Sequence, residues 1–261
     1  MIPLKNNGIW SEPDLLVLSG SHMYGCSTPA SDTDHRGFVV ESADYLLGRK
    51  KFEQYEDKEA DVVIWGFAKF FELLEKGSPN TFEILFANDF IIAAPKGRMM
   101  IDNRHLFVSK QITNAIRGFA SSEWLKAQLL TKNKETDEVY HSSRVVGAKR
   151  KESHAQFGYS VKNAYHSIRL LDQGIELLKT GSMTFPRPNA DYLRAIRNGE
   201  ILFDDLSALR EDLKIQFASA EEASLIPSKP NRVKLDELYF NIIDDRVEEF
   251  LCRKKKTRVA L

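Results

Sequence analysis

The sequence predicts an α+β protein, with a small mixed-sheet core over residues 1–105 and a helical domain over 106–261. Three observations lead there. Short β-branched apolar runs ended by turn residues recur before Asp102, and the apolar residues after it repeat at helical spacing. The composition, 43% hydrophobic and 28% charged in 261 residues, is that of a globular chain able to bury a core without disulfides or a structural metal. Cys26 and Cys252 lie far apart and match no metal-ligand spacing, which fits a reducing compartment.

LLVLSG (15–20) reads as a buried strand feeding a turn, GFVVES (37–42) as a second strand and DVVIWG (61–66) as a third. The charged stretch GRKKFEQYEDKEAD between them predicts an exposed hairpin or turn. Phe67, Phe70, Phe71 and Leu74 follow the i, i+3, i+4, i+7 pattern of an amphipathic helix that stops at Gly77 before Pro79. Asn80 and Glu83 in SPNTFE predict a helix cap with its partner three residues on. FIIAAP (90–95) is a further strand or a buried turn. Beyond Asp102 four segments read as helical: ITNAIRGFASSEWLKAQLL, SHAQFGYSVKNAYHSIRLLDQGIELLKTG, LSALREDLKIQFASAEEASL and KLDELYFNIIDDRVEEFLCR. In the second of these Ala164, Ile168, Leu171, Ile175 and Leu178 form a core stripe, and Gly181 is the stop. TKNKETDE (131–138) and IPSKPN (226–231) are the linker candidates. A crevice between two such units is a favoured place for an active site.

The N-terminal twenty residues lack a basic start leading into an apolar h-region, so no signal peptide is expected and the protein is expected in the cytoplasm. Even DVVIWGFAKFFELL is interrupted by Lys69 and Glu72, so no membrane helix and no membrane partner are expected. The 37 basic and 37 acidic residues cancel, which excludes a surface-wide field that gathers nucleic acid and leaves local patches open. Two such patches are Lys149–Lys151 and the tail Arg253, Lys254, Lys255, Lys256 and Arg258, each either a solvated run or a nucleic-acid contact. P-loop, His-Glu-x-x-His and Cys-x-x-Cys motifs are absent.

The chemistry concentrates in GSHMYGCSTPASDTDHRG (20–37). Gly20-Ser21 follows a buried strand, where free backbone N–H groups at a helix start can cradle phosphate oxygens. Asp32 and Asp34 stand at the entrance to the next strand, and residues i and i+2 of a strand project from one face. Two carboxylates that close repel unless a cation lies between them, and hard oxygen ligands of this kind suit Mg²⁺. Asp61, at the start of a β-branched run, is a third acid. Three carboxylates converging on two metals are what in-line nucleotidyl transfer needs.

These residues resemble the DNA polymerase beta superfamily of nucleotidyltransferases, whose signature is Gly-Ser, a spacer, Asp-x-Asp and a later acid on a strand. Closer still is the similarity to the RlaP-like nucleotidyltransferases assigned to RNA repair, carried by SHMYG, TPASDTDHRG with Arg36 after the acids, KFFELLEKGSPNTFEILF, GYSVKNAYHSIRLL and the GSMTFP loop, from Gly20 to Pro186. The resemblance implies a mixed sheet with a helical C-terminal partner, and transfer of a nucleoside monophosphate from an NTP, with ATP foremost, releasing pyrophosphate with Mg²⁺ or Mn²⁺ as cofactor. It implies that Gly20 and Ser21 hold the triphosphate, that Asp32 and Asp34 hold the metals, and that Asp61 joins one metal and helps activate the acceptor hydroxyl. The superfamily usually flanks its acids with apolar residues, whereas Thr33 and His35 are polar here.

Further candidates surround this set. Arg36 either holds an acceptor phosphate or pairs with Asp34. His22, Tyr24 and Ser31 lie within the signature as candidate lining of the nucleotide site. Lys69 sits on the polar side of the helix after Asp61. Lys162, His166 and Arg169 share one helix face opposite the apolar stripe, a basic ridge that is either solvated or a binding surface for triphosphate or an acceptor backbone. The acceptor expected first is an RNA or tRNA end. The alternatives are nucleotidylation of a protein or small molecule, or a silent nucleotide-binding sensor.

Overall fold

A computed structural model describes residues 12–29, 31–48, 50–132, 139–141 and 147–259. Of the described residues 60% are helical, and a five-stranded mixed sheet makes this an α+β fold. Its contacts divide it into two compact units, one of Met1–Met23, Ala30–Val108 and Pro230–Leu261, the other of Tyr24–Pro29 and Ser109–Lys229.

In the first unit β1 (Leu15–Leu18), β2 (His35–Val39), β3 (Gln54–Asp57), β4 (Val62–Gly66) and β5 (Phe90–Ala93) form one sheet in the order β3-β4-β2-β1-β5. The β2–β4 pair is parallel, with His35 opposite Val62, and the other pairs are antiparallel. The charged stretch before Asp61 does form the hairpin β3–β4, and FIIAAP contributes an edge strand. Alternation explains both sheet faces. Leu16, Val39, Val62 and Ile64 pack on one, with Phe52, Tyr55 and Ile92 against them. Phe38 points to the other, where Phe70 stacks on it at 4.6 Å.

Phe67 and Phe70 belong to α3 (Phe67–Glu75), the amphipathic helix expected from the spacing, and their partners include α11 (Arg232–Val259). Tyr239 of α11 stacks on Phe67 at 5.1 Å and meets Phe71 edge-on at 5.1 Å. Lys96 donates to the Ile242 carbonyl at 2.8 Å and pairs with Asp245, and Arg232 pairs with Glu75 at 2.5 Å. The final helix therefore groups with the sheet, whereas its helical periodicity had placed it in the 106–261 domain. Periodicity reports that a face is apolar and carries no information about which distant residues cover it.

Three short helices complete this unit, α1 (Gly20–Met23), α2 (Ala43–Leu46) and α4 (Pro79–Leu85), with α5 (Pro95–Asp102) and a 3-10 turn at Arg104–Phe107 after β5. The expected Asn80 cap is incorrect: Ser78 holds the cap position without a side-chain cap bond, Pro79 opens the helix, and Asn80 lies exposed inside it. Proline is suited to a first turn because its missing N–H has no partner to lose there.

The second unit is built on α8 (Val161–Thr180), against which α6 (Lys110–Ala127), α9 (Ala190–Asn198) and α10 (Phe203–Ala223) pack. The expected stripe Ala164, Ile168, Leu171, Ile175 and Leu178 is buried, and the helix stops at Gly181. One long helical segment had been expected from Ser153 to Gly181. It is interrupted at Gly158–Ser160, separating α7 (Ala148–Phe157) from α8. This unit is also not wholly helical, because β6 (Leu130–Lys132) and β7 (Val139–His141) pair antiparallel. The linker candidate TKNKETDE contributes Thr131 and Lys132 to β6, and its remainder lies outside the described residues. So do residues 1–11 of the N-terminal segment read for a leader, and the side chains of Lys149 and of the basic tail from Arg253 to Arg258. Among the described residues no helix is long and apolar enough to cross a membrane.

Candidate active site

Sheet topology brings the signature together. Because β2 and β4 run parallel and β1 antiparallel to β2, the residues after β1 and those before β2 and β4 meet at one end of the sheet. Two backbone hydrogen bonds join them there: Ser19 N–H donates to the Asp34 carbonyl and His35 N–H to the Asp61 carbonyl, each at 2.8 Å. Asp34 directly precedes β2, and Asp61 directly precedes β4 with φ +48°, a left-handed turn conformation that Asp tolerates better than most residues. Asp32 and Asp34 do not share a strand face as i and i+2, because β2 begins at His35 and both acids stand just before it.

Arg36 ties the acids together. Its Nη2 donates to Asp34 Oδ1 at 3.2 Å and to Asp61 Oδ1 at 3.1 Å, while Nη1 donates to the carbonyls of His35 and Asp61 at 3.0 Å each. All four terminal N–H bonds of the fork are thereby used. Two carboxylates share one guanidinium. The Arg36 and Asp34 side chains are only 23% and 26% exposed, so water screens their attraction only in part. Arg36 thus pairs with Asp34, one of its two expected roles, and with Asp61 as well.

Gly20 completes this corner. Its φ is +65°, and a Cβ there would lie 2.2 Å from Asp34 Oδ2, so the Asp34 carboxylate rests against the bare backbone that opens α1. Beside it, burial lowers the His35 pKa, and the neighbouring Arg36 charge adds to this. His35 Nδ1 and His22 Nε2 are buried without a hydrogen-bond partner among the described residues.

The other expected residues fall as follows. Ser21 lies in α1 and Ser31 just before the acids, both half-buried, and Asp32 is exposed. Lys69 pairs with Glu72 at 3.1 Å on α3. In the second unit the basic ridge of α8 does not run along a solvated face. Lys162 is exposed and His166 half-buried, but Arg169 is 4% exposed, donates to Gln173 Oε1 at 2.5 Å and lies 3.9 Å from the centre of the Tyr24 ring. Helix α8 is covered on nearly every side, so a polar arc in its sequence became interior. Burial holds His166 well below the usual imidazole range, and the charges of Arg169, Lys162, Arg197 and Lys126 act in the same direction. Lys126 on α6 and Arg197 on α9 are members of this cationic cluster that the sequence did not single out. Three helices supply it, so no spacing could have revealed it.

Among the described residues no group of three or more His, Cys, Asp or Glu side chains is arranged to hold a metal by itself. Asp34 and Asp61 supply hard carboxylate oxygens brought together on one guanidinium, with Asp32 two residues upstream. Mg²⁺ is commonly held by one or two carboxylates with substrate phosphates and water completing its shell, so the residues present fit such an ion bound together with a nucleotide.

A Gly-Ser turn after the first strand and acids just before two adjacent parallel strands are the arrangement that the resemblance to polymerase beta nucleotidyltransferases leads one to expect. The family model for RlaP, the RNA repair pathway DNA polymerase beta family, matches residues 15–239, and the chain belongs to that family. It is thus an enzyme of the polymerase beta superfamily, whose members generally use an NTP and a divalent metal. Neither the curated proteins nor the solved structures include a significant match to it.

Proposed function

We propose that this enzyme moves a nucleoside monophosphate from ATP or another NTP to the hydroxyl of an RNA or tRNA end, with Mg²⁺ or Mn²⁺, in the cytoplasm. The observation that carries the reading is the convergence of Asp34 and Asp61 on Arg36 beside the open backbone of Gly20. The family's place in RNA repair supports the choice of acceptor.

In this reading the backbone N–H groups at Gly20 and Ser21 bind triphosphate oxygens, and Asp32, Asp34 and Asp61 hold the metal. The ion, when bound, orients the triphosphate and neutralises charge that develops on it. The acceptor oxygen attacks the α-phosphorus, and the bond from that phosphorus to the β-bridging oxygen breaks. The electron pair leaves with pyrophosphate. Asp61 takes the proton from the acceptor hydroxyl, which requires it within about 3 Å of that oxygen in the complex. The Arg36 fork holds Asp34 and Asp61 close together before substrate arrives, which lowers the cost of organising the site. In the second unit the exposed Lys162 remains a cationic donor for an acceptor backbone, whereas Arg169 is buried and His166 is held well below the usual imidazole range; in the first unit Ser31 and Lys69 are further nucleotide contacts.

The test is transfer from α-labelled NTPs, each of the four in turn with Mg²⁺ or Mn²⁺, to total RNA and cell protein by wild type and the Asp32→Ala/Asp34→Ala variant. Label on RNA that disappears in the variant supports the proposal. Label on protein moves the acceptor to a protein hydroxyl, a reading that the zero net charge keeps open. NTP binding with no label on RNA or protein means a small-molecule acceptor or a silent sensor, and either overturns the RNA-end proposal.

A further inference from the structure

The spacer between Gly20-Ser21 and Asp32 reads in sequence as an ordinary turn, yet its segment Tyr24–Pro29 belongs to the second unit. Three consecutive carbonyls of the segment each accept a hydrogen bond from that unit. The Arg187 backbone N–H donates to Tyr24 O at 3.1 Å, Arg194 Nη2 to Gly25 O at 2.8 Å and Arg197 Nη1 to Cys26 O at 2.9 Å. Arg194 and Arg197 stand at i and i+3 on α9, one face of one helix. Charged donors make such bonds roughly twice as strong as neutral ones.

The side chains of the segment are gripped as well. The Tyr24 ring lies between the Arg169 guanidinium, 3.9 Å from its centre, and the Phe185 ring at 5.9 Å. The Cys26 thiol, fully buried, shares a 3.1 Å hydrogen bond with the Tyr165 hydroxyl. Arg197 also lies 5.5 Å from the Tyr165 ring. Gly25 has φ +74°, and a Cβ there would meet Pro186 at 2.7 Å, so only glycine fits. A loop needs none of this merely to connect two elements, because exposed carbonyls are satisfied by water.

Position in the chain gives the grip its significance. Gly25 follows Ser21 by four residues, and Asp32 follows Cys26 by six. At no more than about 3.6 Å per residue, Ser21 stays within about 14 Å of the held Gly25 and Asp32 within about 22 Å of the held Cys26, so a spacer held at its centre bounds the travel of both ends. We propose that Arg194 and Arg197 are positioning residues for nucleotidyl transfer: through the Gly25 and Cys26 carbonyls they fix the spacer that carries Gly20-Ser21 at one end and Asp32 and Asp34 at the other. Neither arginine is assigned a contact with substrate. The role in transfer rests on the function proposed above, whereas the grip on the spacer does not.

Cys26 makes the grip measurable, with exposed Cys252 as an internal reference in the same molecule. The rate at which each thiol reacts with an alkylating reagent is read by peptide mass spectrometry for wild type, Arg194→Met/Arg197→Met and Arg194→Lys/Arg197→Lys. Loss of the clamp is expected to raise the Cys26 rate by about tenfold or more at an unchanged Cys252 rate, as local opening does without global unfolding. Transfer at saturating NTP should fall by about 30- to 100-fold, the scale of a misplacement near 1 Å. The lysine pair should recover part of both. Arg194→Met alone, at a side chain 40% exposed, keeps the test decisive if the double variant does not fold. An unchanged Cys26 rate overturns the clamp, and a raised Cys26 rate with wild-type transfer overturns the positioning role. Absence of transfer by the wild-type protein on any acceptor instead refutes the function on which that role depends.

Discussion

Replacing Gly20 by alanine tests the geometry of the site at one atom. Two costs are separable there. A residue with a side chain at φ +65° is disfavoured by about 1–2 kcal/mol. The new Cβ also falls 2.2 Å from Asp34 Oδ2 and 3.1 Å from its Cγ, so the carboxylate must swing away. That movement breaks the 3.2 Å bond to Arg36, a charged hydrogen bond worth about 1.5–3 kcal/mol when well shielded and less with side chains about a quarter exposed. Gly48 supplies the control, because its φ is +77° and nothing lies within 4 Å of a Cβ built on it. Urea unfolding at constant m-value should therefore show Gly48→Ala losing about 1–2 kcal/mol and Gly20→Ala about 1–2 kcal/mol more. In the transfer assay Gly20→Ala should lose about 100-fold or more, because Asp34 has left its position, and Gly48→Ala should keep its rate. Equal destabilisation by the two substitutions, or full activity of Gly20→Ala, refutes the placement of Asp34 against Gly20.

Arg36→Met leaves the Asp34 and Asp61 carboxylates without their shared cation and should destabilise the first unit by about 1–3 kcal/mol in denaturant titration, with Arg36→Lys recovering only part because a point charge cannot reproduce the fork. Arg187, 3% exposed and paired with Asp172 at 2.6 Å and with Glu176, should cost about 2–4 kcal/mol on replacement by methionine, which leaves two half-buried acids unpaired; a loss under 1 kcal/mol would contradict the pairing. Asp14 and Glu41 are buried carboxyls whose pKa values burial raises, even though the Val40 N–H donates to Asp14 at 2.6 Å and the Phe67 N–H to Glu41 at 2.7 Å. The folded state holds these protons more tightly than the unfolded state, so their contribution to stability declines as pH rises from the ordinary carboxylate range through the raised folded values. Unfolding free energies followed over pH for wild type and Asp14→Asn/Glu41→Gln should differ by a component that falls with pH in that window, and a difference that rises with pH would be inconsistent with burial as the dominant cause.

Much of the first unit was legible because local signals suffice there. Strand β4 is five residues of apolar and β-branched character after a turn, α3 has a four-point apolar stripe, and the Gly-Ser and Asp-x-Asp pieces lie close together in sequence. What escaped depends on partners distant in the chain. Helix α11 has no sequence mark naming Phe67 and Phe71 as the rings Tyr239 would meet. The polar arc Lys162, His166 and Arg169 was read against one apolar stripe, whereas α8 is packed by three helices and takes Arg169 inside. The clamp on Tyr24–Cys26 escaped because arginines 194 and 197 donate to carbonyls, which every residue possesses and no motif records. Asp61 was recognised as an acid, while its convergence with Asp34 on a single Arg36 nitrogen required the parallel β2–β4 register.

The most direct measurement is the stoichiometry of transfer, counting labelled nucleotide joined to an RNA end and pyrophosphate released in the same reaction by wild type and by Asp34→Asn. One pyrophosphate per nucleotide joined, with both products reduced by about a thousandfold in the variant while its unfolding curve stays cooperative, is the result the site geometry requires. Undiminished joining by Asp34→Asn, or joining without pyrophosphate, would contradict it.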